Sequence, residues 1–158
     1  MKKNYKFFLK GEFSNWFPSI FTVDDVTYNC GEQYMMHQKA IWFNDIETAR
    51  KIMNSSSPSD QKKLGRKVKN YIDDVWNNVR YDVVKKGLRE KFSQNPNFKN
   101  LMYKYKDYIL VEANPKDRIW GIGFSDYDAL SNIDDWGQNL LGKMLNEISK
   151  EFFDDEKR

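Results

Sequence analysis

The sequence predicts an α+β fold, predominantly helical, folded as one compact domain over residues 1–158 with a small sheet. Three observations carry that expectation. The chain has 158 residues, 40% of them hydrophobic and 16% aromatic, which is enough to close one core and too little for a second domain of similar size. Apolar residues recur at helical spacing in two long stretches, Trp76, Val79, Val83, Leu88, Phe92 and then Leu141, Leu145, Ile148, Phe152. Runs with strand character are few and short.

From the N-terminus, Tyr5–Leu9 and Ile20–Val23 are aromatic and β-branched runs bounded by Gly11 and by Asp24-Asp25, and they predict strands at one edge of a small sheet. The loop between them, Gly11 to Ser19, mixes Gly, Ser, Asn and Pro with three rings, and such rings tuck against the body or against a ligand. A first helix follows Cys30-Gly31 and contains Glu32 to Ala40. Asn44 with Glu47 three residues later forms a capping-box pattern that predicts a second helix to about Met53. Ser57 as N-cap and Pro58 at the first helical position start a third, which carries Lys62, Lys63, Arg66 and Lys67. Asp73 or Asp74 is expected to cap the long helix, and Asn95-Pro96 to end it and open another. Tyr108–Ala113 predicts a strand that Asn114-Pro115-Lys116-Asp117 breaks before Ile119–Gly123. The last helix begins just after Gly137. No internal repeat or low-complexity segment is present.

Composition narrows the function classes. Lys and Arg number 26 against 23 Asp and Glu, a net charge of +3 that permits phosphate contact but lacks the one-sided excess of a dedicated nucleic-acid binder. Cys30 is the only cysteine and His37 the only histidine, so neither an internal disulfide nor a Cys/His zinc site can form. The doublets Asp24-Asp25, Asp73-Asp74, Asp134-Asp135 and Asp154-Asp155 suit helix caps and turns better than a metal, and no metal or cofactor is expected. Met1–Lys10 has no apolar stretch long enough for a signal peptide, and no run approaches the ~18 apolar residues of a membrane span. The expectation is a soluble cytoplasmic protein with no membrane partner and no obligate protein partner.

Glu32 and Lys39 are the candidate chemistry. Seven residues apart, they fall on one helix face two turns along, bordering the apolar stripe of Met36 and Ala40. An axial rise of roughly 10 Å keeps them from pairing directly, so each would lean toward something held between them. By spacing alone, two solvated charges on an amphipathic helix fit as well. Likewise the basic helix carrying Arg66 and Lys67 reads either as a solvated face or as a phosphate site, and Trp16 and Trp120 either as core or as stacking surfaces.

Taken in order, Gly11-Glu12-Phe13-Ser14-Asn15-Trp16-Phe17-Pro18, then Glu32 to Ala40, then Leu64-Gly65-Arg66, and then Leu110 to Gly121 (LVEANPKDRIWG) resemble the NADAR, or YbiA-like, family. Trp76–Asn95 and Gly137–Leu145 extend the resemblance over nearly the whole chain. It implies a compact, mainly helical α+β domain that hydrolyses N-glycosidic bonds to ribose. The substrates it implies are ADP-ribosylated guanine, free or within nucleic acid, and a ribosylamino-pyrimidine phosphate intermediate of riboflavin synthesis. It also puts Glu32 and Lys39 at the centre of the site, with Asn15 and Trp16 in the first loop and Asp117, Trp120 and Gly121 in the late one. Where relatives have a Gly/Asp-rich stretch after the Trp-Gly pair, this chain has Ile122-Gly123-Phe124-Ser125-Asp126, which leaves substrate preference open.

The chemistry of such a bond suits these residues. Cleavage develops positive charge on the sugar and negative charge on the base, calling for a carboxylate near the sugar and a proton donor near the base. Glu32 fits either role. A lysine desolvated by Met36 and nearby rings offers a neutral amine to a carbonyl-like C1. Arg66 and Lys67 are the phosphate candidates, joined by Asn139 at the start of the last helix. The alternatives are a non-catalytic module that binds ADP-ribose or a nucleotide, and a single-strand binder using rings and lysines.

Overall fold

The computed structural model describes residues 3–154. Its elements run β1 (Tyr5–Phe8), β2 (Phe21–Val23), β3 (Val26–Tyr28), α1 (Gly31–Trp42), α2 (Ile46–Met53), α3 (Pro58–Gly65), α4 (Asp73–Gln94), α5 (Pro96–Lys104), β4 (Ile109–Glu112), α6 (Asp126–Ala129), a 3-10 helix (Leu130–Asp135) and α7 (Leu140–Phe153). The fold is α+β and predominantly helical. The strands do not share one small sheet, however: β1 pairs with β4 in parallel, and β2 with β3 antiparallel. By contact the chain gathers into two compact units, Asn15–Asn95 and the described residues up to Ser14 together with those from Pro96 onward.

In the 15–95 unit, Asp24 and Asp25 both adopt positive φ, 49° and 68°, and turn β2 into β3. Two successive left-handed residues match the twist of a tight hairpin, which is why this doublet marks a turn and not a metal ligand pair. Phe21, Val23, Tyr28 and Tyr34 form a buried cluster beneath the hairpin. Tyr34 then crosses to α4, where its hydroxyl donates to the Val83 carbonyl at 2.7 Å. Gly87 makes that approach possible, since a Cβ there would overlap the Tyr34 ring, at 2.5 Å from Cζ. Asp73 and Asp74 occupy the first turn of α4; Ile72, which has no capping oxygen, holds the N-cap position.

The second helix is capped by Asp45, not by the expected Asn44. Asn44 takes a left-handed φ of 59° that ends α1, and this frees Asp45 to accept from the Thr48 N–H at 3.1 Å through one oxygen and from the Lys69 N–H at 2.9 Å through the other. One carboxylate thus starts α2 and ties down the segment after α3.

In the other unit, β4 is bordered on one edge by β1, with Ile109 N donating to Asn4 O at 2.8 Å and Ala113 N to Phe8 O at 2.7 Å. Its opposite edge is covered by side chains of α7 in place of a strand. Asn146 accepts from Leu110 N at 2.9 Å and donates to Tyr108 O at 2.9 Å. One heptad earlier, Asn139 accepts from Glu112 N at 3.0 Å and donates to Leu110 O at 3.0 Å. An exposed parallel edge is thereby closed with two carboxamides. Val111, Ile122 and Ala129 form the core here, with Tyr5, Phe7, Phe124 and Trp136 packed on it.

The backbone N–H groups of Lys69 and Thr48 hold the Asp45 carboxyl well below the usual carboxylate range, at about 2. A depressed folded pKa contributes stability that is full above the unfolded value of 3.8 and is lost as pH falls toward 2. Asp45→Asn keeps one acceptor but turns an NH2 toward a backbone donor. We expect it to melt below the natural chain at neutral pH, with the gap in Tm closing between about pH 4 and pH 2. A gap that stays constant across a pH series of melts would show that the charge is not responsible.

Candidate active site

The candidate site is built on α1. Cys30 sits at its N-cap, its sulfur accepting from the Gln33 N–H at 3.4 Å and its thiol donating to Gln61 Oε1 at 3.1 Å. Burial pushes this thiol's pKa up, so it is a cap and a poor nucleophile. The next residue, Gly31, lies against Asn15: a Cβ there would fall 2.7 Å from Asn15 Oδ1. Asn15 is itself buried, and its carbonyl accepts from the Glu32 N–H at 2.9 Å. Its Oδ1 is buried without a hydrogen-bond partner, an acceptor beside the first turn of the helix that bears the candidate acid. Trp16 follows and is 45% exposed, a surface ring and not a core one.

Glu32 is only 4% exposed, which removes the solvated-charge alternative for that residue. Lys39 is half-buried, with its Nζ 4.5 Å from the centroid of the Tyr71 ring. Burial lowers the Lys39 pKa most, Arg66 lowers it further, and Glu32 and Asp73 oppose the shift. The four charged groups named by that balance come from α1, the C-cap of α3 and the start of α4. They converge because α3 ends on Met36, the residue midway between Glu32 and Lys39. Gly65 permits the fit, since a Cβ there would overlap the Met36 sulfur and lie 3.0 Å from its Cγ. Arg66, the next residue, is brought to the Lys39 end of α1. Arg66 and Lys67 are both exposed, as a phosphate contact requires.

Four predicted residues belong to the other unit. Asp117 shapes a turn: its Oδ1 accepts from the N–H groups of Ile119 and Trp120, both at 2.9 Å. The Trp120 side chain is thus carried on a turn that a carboxylate fixes. Gly121 is buried; a Cβ would fall 2.8 Å from the Glu112 carbonyl and 2.9 Å from its carboxylate. Asn139 has a left-handed φ of 50°, and both polar atoms of its side chain are engaged with β4, so its role in this structure is to clamp that strand.

Residues outside the sequence-based set also stand out. Tyr71 and Asp73 act directly on Lys39, and the hydroxyl of Tyr71 donates to Asp73 at 2.8 Å. Glu112 is a buried carboxylate at the end of β4. An acidic residue inside the apolar run Leu110-Val111-Glu112-Ala113 was the signal available for it. Among the described residues, no group of three or more His, Cys, Asp or Glu is gathered that could hold a metal ion. The Asp155 half of the last Asp doublet lies outside the described residues. Among the described residues no helix is long and apolar enough to cross a membrane.

A buried acid and a desolvated amine thus lie on one face of α1, and comparison with known proteins gives the family in which that helix occurs. The NADAR domain matches residues 5–153, and the chain belongs to that family. It is 40% identical to "N-glycosidase R617" of Acanthamoeba polyphaga mimivirus over 146 residues, 88% of this chain and 86% of that protein. It is 27% identical to "Riboflavin biosynthesis protein VVA0006" of Vibrio vulnificus, a match covering 89% of this chain and 35% of that protein. The NMR structure of the E. coli protein YbiA superposes with a TM-score of 0.81 at 26% identity, covering 100% of this chain and 90% of that one. Relatives named N-glycosidases support a glycosidase activity in general terms.

The contact between Gly65 and Met36 is testable by itself. Gly65→Ala forces a methyl into the Met36 side chain and is expected to cost about 1–3 kcal/mol of stability. Most of that cost should disappear when Met36 is already Ala, giving a non-additive double-mutant cycle in thermal denaturation. Additive losses would mean the two residues do not meet.

Proposed function

We propose that this chain is an N-glycosidase that hydrolyses an N-ribosyl bond, with ADP-ribosylated guanine as its first substrate and a ribosylamino-pyrimidine phosphate as its second. The observation that carries the proposal is the pairing of a buried Glu32 with a desolvated Lys39 on one face of α1. A binding module has no need of a buried carboxylate and a half-buried amine of lowered pKa on one helix face. The viral relative's name supports the bond class, and the Vibrio relative's name supports the second substrate.

In this mechanism Glu32 delivers a proton to the ribose ring oxygen as the C1–O4′ bond breaks, leaving an iminium between C1 and the base nitrogen. The neutral Lys39 amine adds to C1. A proton passes from the lysine nitrogen to the departing base through Glu32, the C1–N bond to the base breaks, and an imine joins Lys39 to the sugar. Water then adds to that imine and returns free ribose and free amine. Arg66 and Lys67 hold the phosphate, Trp16 stacks on the base or the sugar, and Asn15 Oδ1 accepts from a substrate N–H or O–H. Asp117, Trp120 and Gly121 are proposed as further substrate contacts, with Asn139, the N-cap of α7, holding β4 in their unit.

Incubation with ADP-ribosylated guanosine or DNA, and in parallel with the riboflavin intermediate, should release free base and sugar detectable by mass. Tight binding of both without turnover over hours would sink the glycosidase. Borohydride added during turnover should leave a sugar-derived mass on the peptide containing Lys39. Lys39→Ala should abolish adduct and activity, and Lys39→Arg should fail too, because a guanidinium stays protonated. Activity should rise with pH through an ionisation below the ordinary lysine value of 10.5. Near-normal turnover by Lys39→Ala would reduce the amine to an electrostatic role, with Glu32 activating water.

Trp16→Ala should raise KM with a smaller loss of Tm than a core tryptophan would cause, since a residue 45% exposed already leaves nearly half its area in solvent. A loss approaching the ~3–5 kcal/mol of a fully buried tryptophan would return Trp16 to the core.

A further inference from the structure

Gln61 has no part in the chemistry above, yet its side chain is 0% exposed and every polar atom of it is engaged. Its Oε1 accepts from the Cys30 thiol at 3.1 Å. Its Nε2 donates to the Ser55 carbonyl at 2.8 Å and to Asn29 Oδ1 at 3.1 Å. The same Ser55 carbonyl also accepts from Asn29 Nδ2 at 3.0 Å and from Gln33 Nε2 at 3.3 Å. Gln33 closes the circuit by accepting from the Asn29 N–H at 2.7 Å. Three carboxamides and a thiol therefore tie the N-terminus of α1, the turn after α2 and the middle of α3 into one buried cluster.

Gln61 and Gly65 lie four residues apart, on one face of α3. At one turn Gln61 is bonded to the cap of α1, and at the next Gly65 rests on Met36, one turn beyond Glu32 along α1. Two contacts on successive turns fix both the axial position and the rotation of α3 on α1, and Arg66 is the first residue past the second contact. We infer that Gln61 is a positioning residue of this site: through its bond to Cys30 it sets α3 on α1 and so holds Arg66 at the Glu32–Lys39 face. The inference rests on the glycosidase reading for its consequence in catalysis, but the positioning itself can be measured without substrate.

The groups facing Lys39 are Glu32 from its own helix, Arg66 from the end of α3, and Tyr71 and Asp73 from the start of α4. Of these, Arg66 is the cation that opposes protonation of Lys39. If α3 loses its register, Arg66 withdraws while Glu32, Tyr71 and Asp73 stay, and the Lys39 amine must become harder to deprotonate. A residue that merely fills the core would lower Tm and leave that ionisation where it was.

The test uses Gln61→Leu, which keeps bulk but removes all three bonds, with Cys30→Ala and Cys30→Ser as a second pair of variants. Cys30→Ser retains a cap for Gln33 and a donor for Gln61, whereas Cys30→Ala retains neither. The ionisation of Lys39 is read as the pH dependence of its modification by an amine-reactive reagent, followed on its peptide by mass spectrometry, and kcat is followed on ADP-ribosylated guanosine. Gln61→Leu and Cys30→Ala should both move the Lys39 profile to higher pH and lower kcat by roughly 10- to 100-fold, while Cys30→Ser restores both toward the natural chain. An unmoved Lys39 profile in folded Cys30→Ala or Gln61→Leu overturns the inference. Should Gln61→Leu not fold, the Cys30 pair alone decides. A shifted profile in a chain with no turnover on either substrate would uphold the positioning and defeat only the glycosidase reading.

Discussion

The carbonyl of Ser55 accepts three amide N–H groups, from Asn29, Gln33 and Gln61, and the geometry of the 15–95 unit depends on that convergence. A backbone carbonyl has two lone pairs, so a third donor marks a place where the fold takes a small local cost to bring separate elements together. Each of these bonds contributes little net stability because each replaces a bond to water. Leaving any one of the buried amides unsatisfied would cost far more, about 1–3 kcal/mol. That asymmetry makes the cluster specific. Sliding α1, α2 or α3 strands a buried polar group, and the register that strands none is also the one that puts Met36 against Gly65.

The same economy governs the unit that contains β4. Its core cluster is small, and a parallel strand with an open edge invites wrong pairing. Asn139 and Asn146 close the edge from α7, and Gly142, between them, lets the helix approach until a Cβ would overlap the Leu110 carbonyl. Carboxamides thus hold both units: in one they join helix to helix, in the other helix to strand. Hydrogen-bonded amides carry no charge, so these contacts fix register without the desolvation cost of an ion.

Much of this was legible in the sequence because it was local. Ser57-Pro58 and Asn95-Pro96 start α3 and α5 where expected, since a hydroxyl cap and a proline act within one turn. Glu32 and Lys39 share a face of α1 because their spacing allows little else. Features set by distant partners were not legible. Asn44 and Asp45 are neighbours with equal capping chemistry, and what selects Asp45 is Lys69, 24 residues away. β3 is too short to stand out, and the separation of β2 from β1 depends on a hairpin closed by two aspartates that resemble a helix start. Gln61 sits in the polar string Ser59-Asp60-Gln61-Lys62-Lys63, where nothing local distinguishes the one buried side chain from its partly or fully exposed neighbours. For the same reason Asn139 reads from sequence as a helix start open to a ligand, while in the structure it is occupied by β4.

The thiol that caps α1 has a consequence for how the molecule can be observed. Cys30 is the only cysteine, is 2% exposed, and is held protonated by burial. Alkylating reagents attack thiolates that solvent can reach, so in the closed state this sulfur is protected twice over. It becomes reactive only when the first turn of α1 detaches from Gln61 and opens. The rate at which the chain consumes a thiol reagent is therefore an intrinsic clock for local opening at the helix that carries Glu32 and Lys39, recorded without introducing any foreign label.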